Sequence, residues 1–247
     1  MDDAGILRLL SDAAAFAKPP VSNFRVGSVA RGSSGKLYLG TNVEFAGEAL
    51  SFTVHAEQSA VTNAWMSGET GIDLVATSAA PCGYCRQFLN ELVTAAELRV
   101  LMPAESRTLA ELLPSSFGPR DLGVSGGLLQ PEDHRLAIGE GDDLAVAALG
   151  AANMSYAPYS RSYAGVALRT RDGSIVTGAY AENAAFNPSL SPLQAALSQL
   201  NLQGFAWEAI AEVALVEAGS MHTSATRTVL GAISRAPLRV LEARNSA

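Results

Sequence analysis

An α/β fold built from two tandem copies of one three-layer α/β/α domain, each with a mixed sheet of about five strands, is what this 247-residue sequence predicts. Three observations carry that prediction. Helical and strand-like patterns alternate along the chain, which puts helices on the faces of a sheet. The order of elements in the first half recurs in the second. Between the halves lies a stretch rich in proline, glycine and serine.

The elements follow in order. Residues 3–18 have apolar positions at helical spacing and read as an amphipathic helix. Residues 24–29 and 36–43 read as strands joined by the turn Gly32-Ser33-Ser34-Gly35, a β-hairpin. A helix over 53–66 stops at Ser67-Gly68, with His55 just inside its start. Residues 74–78 are a short apolar strand, 82–93 a helix and 98–102 a strand. Residues 103–131 change character, with Pro103, Pro114, Pro119 and Pro131, and read as a connection. In the second half, helices are expected over 142–153, 191–200 and 224–234. Strands are expected over 162–169, 175–181, 213–216 and 238–241, with the turn Arg171-Asp172-Gly173-Ser174 between the first two. The domain boundaries that follow are 1–112, a linker over 113–131, and 132–247. Local sequence repeats as well. Gly40-Thr41-Asn42-Val43-Glu44-Phe45 lies over Tyr180-Ala181-Glu182-Asn183-Ala184-Ala185-Phe186 with Asn42 on Asn183, and His55-Ala56-Glu57 falls near Leu193-Gln194-Ala195.

Composition narrows the function classes. The chain is 48 % hydrophobic and 17 % charged, as a globular protein is. No apolar run approaches the ~20 residues needed to span a bilayer. The stretch from Ile6 to Ala17 contains Arg8 and Asp12 and follows Asp2-Asp3, so it lacks the basic start and continuous apolar centre of a signal peptide. A cytoplasmic protein with no membrane partner is expected. The net charge is −7 and no basic run occurs, whereas a nucleic-acid binder needs Lys and Arg to replace condensed counterions. A free small molecule is the expected substrate.

Chemistry is concentrated in two short stretches. Both cysteines sit in Pro81-Cys82-Gly83-Tyr84-Cys85, and one of three histidines sits in His55-Ala56-Glu57-Gln58. A single C-x-x-C pair is no disulfide framework, so the thiols are available to a metal. Cys82 and Cys85 are three apart at a helix start and share a face. One imidazole and two thiolates leave a tetrahedral zinc one ligand short, and the open position is where water becomes a reagent. Glu57 is not needed as a ligand and is available to move protons. Taken singly, C-x-x-C also suits redox chemistry or half of a structural zinc site. Glu57 alone suits a first-turn carboxylate on a helix dipole. In the second copy the corresponding stretch has no histidine, no glutamate and no C-x-x-C.

At these residues the chain resembles the cytidine deaminases, zinc-dependent nucleoside deaminases whose signature is H-x-E … P-C-x-x-C. It is most similar to the two-domain homodimeric type, in which an active domain precedes a broken copy. Asn23-Phe24-Arg25-Val26-Gly27, Asn42-Val43-Glu44-Phe45, Thr53-Val54-His55-Ala56-Glu57-Gln58 and Pro81-Cys82-Gly83-Tyr84-Cys85-Arg86-Gln87-Phe88 carry the resemblance. Tyr180-Ala181-Glu182-Asn183-Ala184-Ala185-Phe186-Asn187-Pro188 resembles the family's C-terminal copy, so the likeness covers nearly all of the chain except the linker.

The resemblance implies hydrolytic deamination of cytidine and deoxycytidine to uridine and deoxyuridine in pyrimidine salvage. One zinc per chain would be held by His55, Cys82 and Cys85, with Glu57 as the proton shuttle. Phe24 would pack on the pyrimidine, Asn42 and Glu44 would bind the ribose 3′-hydroxyl, and the backbone of Ala56 and Ala80 would contact the base. Ala80 stands where a hydroxyl residue is usual. Single-domain relatives use three cysteines with an arginine after the glutamate. Here the first ligand is neutral His55 and the next residue is Gln58, which suits a site whose two thiolates already balance Zn²⁺. Ser155-Tyr156-Ala157-Pro158-Tyr159 resembles a segment that helps form the dimer and close the partner's site. The rival expectations are a structural-zinc scaffold and a zinc deaminase of another base-containing substrate.

Overall fold

The computed structural model describes residues 1–245. The chain divides into two units. Unit 1 comprises Met1–Glu44, Thr53–Gln130 and Asn183–Ser189, and unit 2 comprises Phe45–Phe52, Pro131–Glu182 and the chain from Leu190 onward. Each unit therefore includes a short segment from the opposite half of the sequence.

Unit 1 begins with α1 (Asp3–Ala15), capped by the Asp2 side chain. The hairpin β1 (Gly27–Gly32) and β2 (Leu37–Thr41) follows, then α2 (Ala56–Met66), β3 (Ile72–Thr77) and α3 (Gly83–Leu89). The short strands β4 (Arg99–Leu101) and β5 (Ser106–Thr108) and the one-turn α4 (Leu109–Leu112) complete it. The sheet order is β2-β1-β3-β4-β5, with β3 and β4 parallel and the other pairs antiparallel. Two glycines set the layers. A Cβ on Gly27 would lie 2.0 Å from Leu10 O of α1, and one on Gly40 would lie 2.1 Å from Ala60 N of α2. Gly40 pairs with Ser28, the neighbour of Gly27, and successive strand residues face opposite sides. Thus α1 and α2 cover opposite faces. On the α1 face, Ile6, Leu10, Val29, Leu74, Ala76 and Leu101 form a buried cluster. Each fully buried aliphatic there contributes about 1.5–3 kcal/mol.

Unit 2 repeats the plan. The two-residue β6 (Leu136–Ala137) precedes α5 (Asp143–Asn153), β7 (Ala164–Thr170), β8 (Ile175–Ala179), α6 (Pro192–Leu202), β9 (Ile210–Glu217), α7 (Thr223–Ile233), β10 (Leu238–Glu242) and β11 (Arg244–Asn245). Its main sheet runs β10-β9-β7-β8, and β6 pairs with β11. Gly165 lies against α5 and Gly178 against α6, again on opposite faces. Even the irregularities recur: the β1–β3 register shifts at Arg31/Gly32 and the β7–β9 register at Arg169/Thr170.

That detail corrects the alignment of the copies. Gly178, packed on α6, is the counterpart of Gly40, so Asn42 corresponds to Tyr180 and Glu44 to Glu182 rather than Asn42 to Asn183. Val43 bridges Val54 as Ala181 bridges Leu190. The intervening loop is two residues shorter in the second copy, which puts Ser191, not Leu193, at the place of His55.

Other elements shift too. The helix expected over 53–66 begins at Ala56, because Val54 exchanges two 2.9 Å backbone bonds with Val43, and His55 is the N-cap instead of lying inside the helix. The helix expected over 82–93 ends at Leu89. Beyond it Glu91 O and Val93 N pair with Leu128. The stretch 103–131 carries β5 and α4 and falls in unit 1 through Gln130. All three β5 residues are exposed, so the strand has no apolar alternation for pattern reading to detect.

Candidate active site

Two backbone turns build the site. His55 caps α2 with extended torsions, and its N–H donates to Gln58 Oε1 at 3.1 Å. Cys82 caps α3 in the same way, and Cys85 lies one turn on, buried. The cap position releases both side chains from helical geometry, so they meet. Cys82 Sγ lies 3.6 Å and Cys85 Sγ 3.3 Å from His55 Nδ1, and the sulfurs are 3.6 Å apart.

Those separations can be compared with what zinc requires. Tetrahedral bonds of about 2.3 Å to sulfur and 2.0–2.1 Å to nitrogen put the ligand atoms roughly 3.6–3.8 Å apart. The three donors therefore already form one face of a zinc tetrahedron, of the right chemistry and nearly the right size. Among the described residues this is the one His/Cys/Asp/Glu group of ligating geometry. The fourth vertex has no protein ligand in that group.

The ionisation pattern follows from the contacts. The hydrogen bond from Cys85, then that of His55, holds the Cys82 thiol down at about 3. The same bond to the Cys82 thiolate, reinforced by burial, pushes the Cys85 thiol up. Burial disfavours charge on His55, but the Cys82 thiolate outweighs it and the imidazole is raised.

Glu57 is 4 % exposed. Its Oε2 accepts from Cys85 Sγ at 3.2 Å, and its Oε1 accepts from Thr77 Oγ1 at 3.3 Å. Burial holds its carboxyl above the usual carboxylate range. Thr77 was not singled out by sequence reasoning, although a hydroxyl ending the apolar strand β3 is the signal that could have found it. Tyr84 stands in the sequence reading only inside the C-x-x-C motif, with no role of its own. Its ring stacks on His55 with centroids 5.0 Å apart. Arg86 was quoted only as part of a motif. It buttresses the Pro81-Cys82 turn, with Nε donating to Pro81 O at 2.8 Å and Nη1 to Leu112 O at 2.8 Å.

Phe24, Asn42 and Glu44 lie at a loop over residues 18–26. Asn42 Oδ1 accepts from Val26 N at 2.9 Å, and its Nδ2 donates to Phe24 O at 2.8 Å. Glu44 Oε2 accepts from Val21 N and Ser22 N, each at 2.9 Å, and Oε1 accepts from the Ser22 hydroxyl. Burial works against the Glu44 charge, but these donors outweigh it and keep the carboxyl low. Both residues thus clasp the loop that carries Phe24, whose ring is exposed. These bonds use one of the two Nδ2 hydrogens of Asn42. Ala56 is the first residue of α2, where a backbone N–H has no intrahelical acceptor. Ala80 is exposed on the turn leading to Cys82.

Unit 2 keeps the clasp and drops the ligands. Glu182 Oε2 accepts from Tyr159 N at 2.8 Å and Ser160 N at 3.1 Å, as Glu44 does from Val21 and Ser22. The helix caps are Ser191 and His222 in place of His55 and Cys82. Tyr156 and Ala157 are buried within the unit.

Comparison with known proteins agrees. Residues 2–101 match a family model described as the cytidine and deoxycytidylate deaminase zinc-binding region, and residues 109–229 match a second model of that description. The cytidine deaminase of Photobacterium profundum is 52 % identical over 230 residues, covering 92 % of this chain and 78 % of that protein. That of Cronobacter sakazakii is 54 % identical over 217 residues, covering 87 % of this chain and 74 % of that protein. That of Yersinia pestis is 49 % identical over 234 residues, covering 94 % and 80 %. Two such models in tandem, about half the residues shared over most of the chain, and a zinc-sized His/Cys/Cys triangle in the first copy lead to one conclusion: this chain belongs to the cytidine and deoxycytidylate deaminase family.

Proposed function

We propose that the chain hydrolyses cytidine and deoxycytidine to uridine and deoxyuridine, releasing ammonia. The observation that carries this reading is Glu57, a buried carboxyl 3.2 Å from a ligand sulfur, beside a three-ligand zinc site with no fourth protein donor in its group. His55 Nδ1, Cys82 Sγ and Cys85 Sγ would hold the zinc. When bound, zinc lowers the pKa of water from ~15.7 to about 7 and so supplies the nucleophile at neutral pH.

The chain's own residues then do the proton work. Glu57 takes the proton of the attacking water as oxygen bonds to C4, and delivers it to N3. It then passes the second proton to the amino nitrogen, the C4–N bond breaks, and ammonia leaves. A carboxyl raised by burial suits a group that must both take and give protons near neutral pH. Phe24 packs on the pyrimidine, Asn42 and Glu44 bind the 3′-hydroxyl, and the backbone at Ala56 and Ala80 contacts the base. A pair reading only the 3′-hydroxyl accepts ribose and deoxyribose alike. The acidic chain has no basic run to take a 5′-phosphate, so nucleotides are poor substrates.

In this reading the chemistry belongs to residues 1–112, and 132–247 form a degenerate copy. No helix among the described residues is long and apolar enough to cross a membrane. In this reading the chain works as a homodimer in the cytoplasm. Full activity in a dilute monomer would refute closure of the site by a second subunit.

The deciding assay follows the absorbance of cytidine, deoxycytidine, cytosine and CMP with the full chain, with and without a chelator. Turnover of both nucleosides, abolished by the chelator, is expected. Zinc at unit stoichiometry without turnover would favour a structural site. Glu57→Ala should keep zinc and lose at least about 10²–10⁴-fold in kcat. Cys82→Ala should lose zinc and activity together, and retained zinc would refute the ligand set.

A further inference from the structure

Unit 1 contains one segment from the second half of the sequence, Asn183–Ser189. It is held by both helices that present the zinc donors. On α2, Gln58 Nε2 donates to Pro188 O at 3.1 Å while Gln58 Oε1 accepts from His55 N. On α3, two residues after Cys85, Gln87 O accepts from Asn183 Nδ2 at 3.0 Å. Just past α3, Glu91 Oε2 accepts from Ala184 N at 2.9 Å. Gln58, Asn183 and Glu91 are all 0 % exposed.

We infer that the 183–189 segment is a brace that fixes α2 against α3 and thereby sets the zinc affinity of the site. The inference rests on His55, Cys82 and Cys85 being the zinc ligands. Burying the polar ends of a glutamine, an asparagine and a glutamate is costly unless each is bonded, so breaking any one of these grips is unfavourable. The segment is itself stiffened. Asn183 Oδ1 accepts from Ala185 N and Asn183 N donates to Ser189 Oγ, both at 3.0 Å.

The consequence for the metal is geometric. His55 is carried by α2 and both cysteines by α3, so relative movement of the helices changes the 3.3 and 3.6 Å donor distances directly. Unit 2 makes the matching bond from Gln194 Nε2 to Phe52 O at 2.7 Å, but its helices are capped by Ser191 and His222. There the bond can only hold helices. In unit 1 the same device also holds a metal site.

The test uses the full chain and zinc itself. Zinc dissociation constants are measured by chelator competition, and hydrogen exchange of amides 184–189 reports release of the segment. Glu91→Met removes the acceptor for Ala184 N, Glu91→Gln retains one, and Asn183→Ala removes the bond to Gln87. Glu91→Met and Asn183→Ala should speed exchange over 184–189 and weaken zinc binding by about 10–100-fold, the usual effect of losing an outer-shell support. Glu91→Gln should stay near the unaltered protein in both readouts. If Glu91→Met does not fold, Asn183→Ala with the Glu91→Gln control decides. Faster exchange with zinc affinity unchanged would overturn the brace, as would Glu91→Gln binding zinc as weakly as Glu91→Met. An unaltered chain that bound no zinc would instead refute the ligand set.

Discussion

Thr77→Val tests whether the end of β3 aims the Glu57 carboxylate. Valine matches threonine in shape, so the substitution removes one hydroxyl and nothing else of consequence. Thr77 is fully buried and Glu57 nearly so, and their bond is 3.3 Å long. A hydrogen bond to a charged group contributes about 1.5–3 kcal/mol, and a long one belongs at the low end. When zinc is held, Cys85 must be a thiolate and can no longer donate to Glu57 Oε2. The Thr77 hydroxyl then carries the orientation of the carboxylate. A loss of about 1.4 kcal/mol in the transition state is tenfold in rate. The expected result is therefore a kcat about tenfold lower with KM and zinc content unchanged, and recovery in Thr77→Ser. Steady-state kinetics on cytidine with metal analysis of the same preparations measures all three. Wild-type kcat in Thr77→Val, or Thr77→Ser no better than Thr77→Val, would refute the reasoning.

Three further expectations come from other contacts. Zinc binding at pH 7 should release fewer than the three protons that an imidazolium and two thiols would give up, because the contacts of Cys82 already favour its thiolate. Calorimetry in buffers of different ionisation enthalpy counts them, and release of three would contradict the assigned thiolate. His222 is 6 % exposed, and burial pushes its imidazole below the ordinary value against the Ser162 carbonyl, Glu217 and Glu182. The unfolded chain then binds the proton more readily, so this residue's contribution to stability is present above about pH 6.5 and is lost as pH falls below it. Urea unfolding between pH 5 and 7.5 should show a shallower pH dependence in His222→Gln, and an unchanged slope would dismiss the effect. Gly40→Ala would put a Cβ 2.1 Å from Ala60 N and 2.5 Å from Ala56 O, both backbone. It should destabilise by about 1–3 kcal/mol, while Gly150→Ala in α5, with open space around it, should stabilise by about 0.5–1 kcal/mol. Melting temperatures that moved together would show that the close approach of α2 to β2 is not what requires glycine.

Legibility in the sequence followed the physics of each feature. The main helices and strands were readable because apolar residues recur at helical or alternating spacing, as in Ile6 and Leu10 of α1. β5 was not readable, since an exposed edge strand of three residues has no such signal. The repeat was readable in order but not in register. Two residues lost from one loop are invisible to an ungapped match, whereas Gly178 packed on α6 as Gly40 is on α2 fixes the register directly. Thr77 was hidden because its importance lies in a contact with a residue twenty positions away.

The sequence by itself determined the donor chemistry. Two thiols, one histidine and a spare glutamate specify a zinc site one ligand short, because ligand type and number are properties of residues and not of their arrangement. Tertiary structure decided the rest. It made His55 and Cys82 helix caps, which is what brings donors from two helices within 3.6 Å. It buried Glu57 and so raised its proton affinity. It also gave Asn183–Ser189 to unit 1, although those residues lie beyond residue 131 in sequence. Distances, burial and partners between remote residues depend on packing, and a linear pattern carries no coordinate for them.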